Sequence, residues 1–161
     1  MTRRKFIKTS GATALVAAGT AGGALASGKA PQTKARKSKR KISTDRAPKP
    51  VGPYSQAMVA GNTLYVAGQG PFDPKTGKMA ATFEEQAVQV FENIKAIVVA
   101  GGATLGDVVK VNVYLADLAN FSKMNEVYKR YFTEDYPARA TVGTQLLGGM
   151  GIEVECIAVK G

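Results

Sequence analysis

Histidine is absent from the 161 residues, and cysteine occurs once, at Cys156. Without histidine there is no Ser–His–Asp or Cys–His nucleophile system and no histidine-based zinc site. A single thiol makes neither a thiolate cluster nor an internal disulfide. Acid–base chemistry therefore falls to carboxylates, tyrosine, lysine or water. Negative charge is also missing from the first 40 positions, which hold 10 of the 22 Lys and Arg residues. All 12 Asp and Glu residues follow, matched by 12 basic residues, so the whole formal charge of +10 sits in the leader. The remainder is formally neutral and lacks the basic excess on which nucleic-acid affinity draws.

The leader has its own order. Arg3-Arg4-Lys5-Phe6-Ile7-Lys8 is basic, Gly11 to Ala26 is uncharged and small, and Ala24-Leu25-Ala26 is a small-x-small processing pattern. The uncharged run is too short and too rich in glycine and alanine for a membrane span. The paired arginines resemble a twin-arginine signal. The expectation is a signal peptide over residues 1–26, cleaved after Ala26, with delivery to the periplasm by the twin-arginine machinery. Residues 27–40 are Lys, Arg, Ser, Ala, Gln and Thr with one Gly and one Pro, expected to form a basic, disordered linker.

Residues 41–161 fit one domain. Ser55–Ala60 and Thr63–Gly68 read as strands joined by a Gly61-Asn62 turn. Pro71–Lys78 reads as a loop. Thr82 and Glu85 form a capping box for a helix whose apolar face is Ala87, Val90, Phe91, Ile94 and Val98, ended by Gly101-Gly102. Val109, Val111, Val113 and Leu115 alternate with polar residues as a strand with one buried face. Phe121, Met124, Tyr128 and Tyr131 mark a second helix. Ala138–Leu146 and Ile152–Val159 read as two further strands joined by a flexible hairpin through Gly148-Gly149-Met150-Gly151. The order ββαβαββ predicts an α+β two-layer sandwich. The glycines at 148, 149 and 151 open no helix, so they are not a dinucleotide loop.

In the last strand Glu153, Glu155, Ile157 and Val159 share one face, and Cys156 falls on the other as a buried spacer. Glu155, bordered by Ile157 and Val159, is the expected partly buried carboxylate. Such a group needs a partner or carries a shifted pKa. Arg139 is expected to begin the neighbouring strand. On pattern alone a structural ion pair is the favoured reading of the two residues, over a grip on a small acidic substrate. Tyr54, after Gly52-Pro53, reads as pocket wall or core.

Several fragments, in order and at consistent spacing, resemble the RidA/YjgF family of enamine/imine deaminases. They include Val51-Gly52-Pro53-Tyr54-Ser55-Gln56-Ala57, Val66-Ala67-Gly68-Gln69-Gly70-Pro71 and Val108-Val109-Lys110-Val111-Asn112-Val113-Tyr114. Tyr136-Pro137-Ala138-Arg139-Ala140-Thr141 and Ile152-Glu153-Val154-Glu155-Cys156-Ile157-Ala158-Val159 complete the set. The resemblance implies a chorismate-mutase-like fold and a homotrimer with clefts between subunits. It also implies a site needing no metal or organic cofactor, and a 2-imino acid as substrate with a 2-keto acid as product. It assigns carboxylate binding to Arg139 and water activation to Glu155, with Tyr54, Gly68, Asn125 and Thr141 around the substrate. Two positions depart from many deaminating members: Thr141 stands in place of cysteine and Ala67 in place of serine. A ribonuclease activity reported in the family and a non-catalytic small-ligand-binding or chaperone-like module are the competing readings.

Overall fold

The computed structural model describes residues 39–161. The signal expected at 1–26, and the linker expected at 27–40 apart from Lys39 and Arg40, lie outside them. Six strands form one sheet: β1 (Arg40–Ile42), β2 (Ala57–Ala60), β3 (Thr63–Gln69), β4 (Val108–Leu115), β5 (Ala138–Gly143) and β6 (Ile152–Val159). Their spatial order is β1-β2-β3-β6-β4-β5. Two helices, α1 (Phe83–Ala100) and α2 (Phe121–Tyr131), complete the α+β architecture. α1 packs on β3 and β6, and α2 packs on α1.

Local chemistry explains most boundaries. Gly61 turns the β2–β3 hairpin at φ +65, a region that costs a Cβ-bearing residue energy. Thr82 caps α1 by accepting from the Glu85 backbone N–H, and the Glu85 carboxylate returns to Thr82 N, satisfying two otherwise orphan donors. Ala87, Val90, Phe91, Ile94 and Val98 are buried in one core with Val111, Val113, Leu115, Ile152, Val154 and Ala158. From α2, Met124, Val127 and Tyr128 join them, and the Phe91 ring meets Tyr128 edge-on at 5.6 Å.

Four expectations are corrected here. Val109 does not join the buried face and is 48% exposed. The β4–β6 register slips between Val108 and Lys110, and this bulge puts Val108 into the core instead. The glycine segment before β6 is no hairpin between neighbours, because β5 pairs only with β4, in parallel, and β4 separates it from β6. β5 also ends at Gly143 rather than Leu146, and β1 is an additional edge strand paired with β2 through Arg40↔Val59.

Candidate active site

Strand pairing decides where Arg139 and Glu155 point. Arg139 pairs with Val111, which is fully buried beneath the helices, whereas Glu155 pairs with Asn112, one residue out of phase. Side chains alternate between faces, so Arg139 stands on the helical side of the sheet and Glu155 on the open side. Thr141 pairs with Val113 and shares the Arg139 face. No ion pair joins Arg139 to Glu155 among the described residues; the pairs there are Lys49–Asp45, Lys129–Glu126 and Arg130–Glu84, all exposed. The structural ion-pair reading is therefore wrong.

The Arg139 side is a shallow pocket of about 370 Å³ lined by Asn125, Tyr128, Lys129, Tyr136, Pro137 and Arg139. Arg139 Nη2 donates to Asn125 Oδ1 at 2.8 Å, and Nη1 reaches Met124 Sδ at 3.9 Å. Its guanidinium lies 4.6 Å from the Tyr128 ring centroid and 5.9 Å from that of Phe121. An amide oxygen, a thioether and two rings hold the half-buried cation without neutralising it. Burial pushes the Tyr128 phenol up to about 12, against the opposing pull of Arg139. The Tyr128 hydroxyl has no hydrogen-bond partner among the described residues. Tyr128→Phe keeps the ring and removes this buried unsatisfied group. It is expected to raise stability by up to about 1 kcal/mol in urea unfolding, and a loss of that size would mean that the hydroxyl is bonded.

On the open side lies a larger cleft of about 550 Å³, lined among others by Tyr54, Ala67, Gly68, Phe72, Leu147, Met150 and Glu153. The glutamate in this cleft is Glu153, not Glu155. A bulge in β3 between Val66 and Gln69 brings Gly68 against Glu153. A Cβ built at Gly68 would overlap the Glu153 carboxylate, so this glycine gives the acid its room. Burial, and secondarily the charge of Glu155, raise the Glu153 pKa above the ordinary carboxylate value. Among the described residues no hydrogen bond reaches the Glu153 side chain. Glu155 instead accepts from Asn112 Nδ2 at 2.8 Å and Tyr114 OH at 3.0 Å, in a small neighbouring pocket with Tyr65 and Lys110. Cys156 lies on the core face, where burial pushes its thiol up to about 12, as a spacer and not a nucleophile.

Three amide side chains at or near full burial hold the loops around this cleft. Gln56 donates to the carbonyls of Thr44, Ala47 and Pro48 and accepts from Thr44 N. Asn93, on α1, donates to Gly70 O and Phe72 O. Gln86 accepts from Gly151 N and donates to Ala80 O. The sequence pattern alone assigns none of them a role. Their signal was a polar residue inside an apolar helical or strand pattern, which signifies a satisfied internal network.

Within one chain the expected residues thus fall into two half-sites. Tyr54 and Gly68 lie with Glu153; Asn125 lies with Arg139, and Thr141 shares their side of the sheet. Glu155 belongs to neither. Among the described residues no group of three potential metal-ligating side chains converges.

Comparison with known proteins adds to this geometry. A family model described as Endoribonuclease L-PSP matches residues 44–160. A RutC family protein of Pyrococcus horikoshii is 54% identical over 124 residues, spanning 76% of this chain and 98% of that protein. A 2-iminobutanoate/2-iminopropanoate deaminase of Dermatophagoides farinae is 44% identical over 123 residues, 75% of this chain and 96% of that one. The crystal structure of E. coli TdcF with bound serine is 41% identical, with a TM-score of 0.74, covering 76% of this chain and 99% of that one.

Proposed function

Because the chain belongs to the Endoribonuclease L-PSP family, the RidA/YjgF family of its motifs, we propose that it hydrolyses reactive 2-imino acids to 2-keto acids and ammonium. The observation that carries this reading is Arg139, a half-buried guanidinium without a carboxylate partner among the described residues. A partly desolvated, uncompensated cation with a planar fork of donors suits a small carboxylate. The serine held by TdcF is an acid of that size, with nitrogen on the carbon next to the carboxylate.

The second half of the chemistry comes from Glu153. Its place on the opposite face from Arg139 is reconciled if a complete site takes Arg139 from one copy and Glu153 from another. A sheet covered by helices on one face leaves the other free for such an assembly, and the family resemblance implies a trimer. Arg139 fixes the substrate carboxylate and holds the C=N carbon beside a water in the Glu153 cleft. Glu153 takes a proton from that water as its oxygen bonds to the carbon and the C=N electron pair moves to nitrogen. Glu153 then gives the proton to nitrogen. As the C–N bond breaks, the new hydroxyl gives its proton to the departing nitrogen and becomes the keto group, and the ammonia released takes up a solvent proton to become ammonium. A carboxyl whose pKa is raised by burial is suited to both transfers, since general acid–base groups work best near the operating pH.

Generating 2-iminobutanoate with an amino-acid oxidase, in the presence of semicarbazide, tests the reading. The protein should speed keto-acid formation and lower the semicarbazone yield. An unchanged yield at micromolar protein rejects it. The ribonuclease suggested by the family description is disfavoured by the formally neutral domain.

The leader supports export: replacing Arg3 and Arg4 by lysine is expected to leave the protein unprocessed in the cytoplasm, whereas the wild type should begin at Ser27 by mass spectrometry. Unaltered export of the lysine variant would reject the twin-arginine route.

A further inference from the structure

The family resemblance assigns water activation to Glu155, whereas the glutamate that lines the cleft is Glu153. The surroundings of Glu155 are nevertheless specific. Asn112 stands directly across from Glu155 on β4, and Tyr114 across from Glu153. Tyr114 does not engage its opposite number; its hydroxyl runs diagonally to Glu155 Oε1, the same oxygen that Asn112 holds. Two donors therefore fix one carboxylate, while the carboxylate two residues away, on the same strand face, is left without a donor. Residues two apart on a strand stand about 7 Å from each other. At that separation, on a half-buried surface, charges interact appreciably.

Resting on the reading of Glu153 as the base, we propose that Glu155, held by Asn112 and Tyr114, is a positioning residue whose charge raises the proton affinity of Glu153 beyond what burial alone gives. The other groups facing Glu153 do not substitute for it. From β4 come Tyr114, committed to Glu155, and Lys110, which lines the Glu155 pocket without an ion pair among the described residues. From β3 come Gly68, which carries no charge, and the phenol Tyr65. The segment before β2 contributes Tyr54 and Lys49 at the cleft wall, with Lys49 turned to Asp45 at 4.0 Å. Within one chain Arg139 lies across the sheet; in the shared site the Arg139 of another copy is a cation, which works in the opposite direction and is unchanged in every Glu155 variant. Glu155 is the one other anion on the Glu153 strand face, and its charge adds to the larger effect of burial in raising the Glu153 pKa. Like charge nearby disfavours ionisation, so removing it should make Glu153 a weaker base.

The test is a carbon-13 carboxyl titration of the full protein, with the Glu153 signal assigned by its loss in Glu153→Gln. Glu155→Gln keeps an oxygen for Asn112 and Tyr114 and removes only the charge. It should lower the Glu153 midpoint by about half to one pH unit and move the acidic limb of kcat/KM the same way. Glu155→Asp, which retains the charge, should stay close to wild type. Glu155→Ala is the second charge-removing variant if the glutamine form does not fold. A Glu153 midpoint that stays in place or rises in both charge-removing variants overturns the proposal. A midpoint that falls while the kcat/KM limb stays put supports the Glu155 effect and instead contradicts Glu153 as the base.

Discussion

Glu153→Gln is expected to lower kcat for 2-iminobutanoate by about 10²–10⁴-fold, the range that general acid–base catalysis supplies. The glutamine keeps the volume and the contact with Gly68, so the cleft should remain formed and KM should change little. Removal of a base acts on the chemical step, and its signature is loss in kcat rather than in binding. The wild-type rate should also fall as the pH drops through the raised pKa of Glu153, because the protonated carboxyl cannot accept from water. Glu155→Gln should lose less than Glu153→Gln and keep a pH-dependent limb. If the losses are reversed, with Glu155→Gln dead and Glu153→Gln active, the water is activated from the small Asn112–Tyr114 pocket and the cleft assignment is wrong.

Arg139→Ala is expected to lower kcat/KM by about ten- to a hundredfold, mainly through KM. Contacts to charged groups are worth roughly 1.5–3 kcal/mol, and each 1.36 kcal/mol is about tenfold. Arg139→Lys should recover only part of this loss, since an ammonium keeps the charge and gives up the planar fork. Tyr128→Leu should raise KM by about two- to thirtyfold, because a ring under a guanidinium contributes about 0.5–2 kcal/mol. Tyr128→Phe should not raise it. Equal losses in both Tyr128 variants would assign the effect to the hydroxyl and not to the ring.

The parts of this site that were legible in the sequence are those fixed by local chemistry. Thr82 and Glu85 announced the start of α1, and the spacing of Val90, Phe91, Ile94 and Val98 announced its buried face. The alternation of Ile152, Val154, Cys156 and Ala158 gave β6 its bounds and its two faces. The illegible parts depend on which strands meet. β6, the last strand in the chain, inserts between β3 and β4, and no local pattern reports a pairing made across so many residues. With β4 interposed, Arg139 and Glu155 cease to be neighbours, and a phase difference of one residue sends them to opposite faces. That Glu153 and not Glu155 lines the cleft was hidden for a related reason. Both occupy the open face, and the apolar neighbours Ile157 and Val159 favoured the inner one. What selects Glu153 is a bulge in a different strand that sets Gly68 against it. Val109 shows the same limit, since a bulge breaks the alternation on which its assignment rested.

The division of the functional residues into two half-sites on opposite faces makes one measurement decisive. Arg139→Ala and Glu153→Gln each disable a different half-site. Co-expressing the two variants in equal amounts lets subunits assort at random, so some sites receive the intact arginine of one copy and the intact glutamate of another. If the complete site is shared between copies, the mixture should hydrolyse 2-iminobutanoate, supplied well below the wild-type KM, at roughly a quarter of the wild-type rate, above either variant alone. A mixture no more active than the separate variants, from an active wild type, would contradict a site built from Arg139 and Glu153 of different copies.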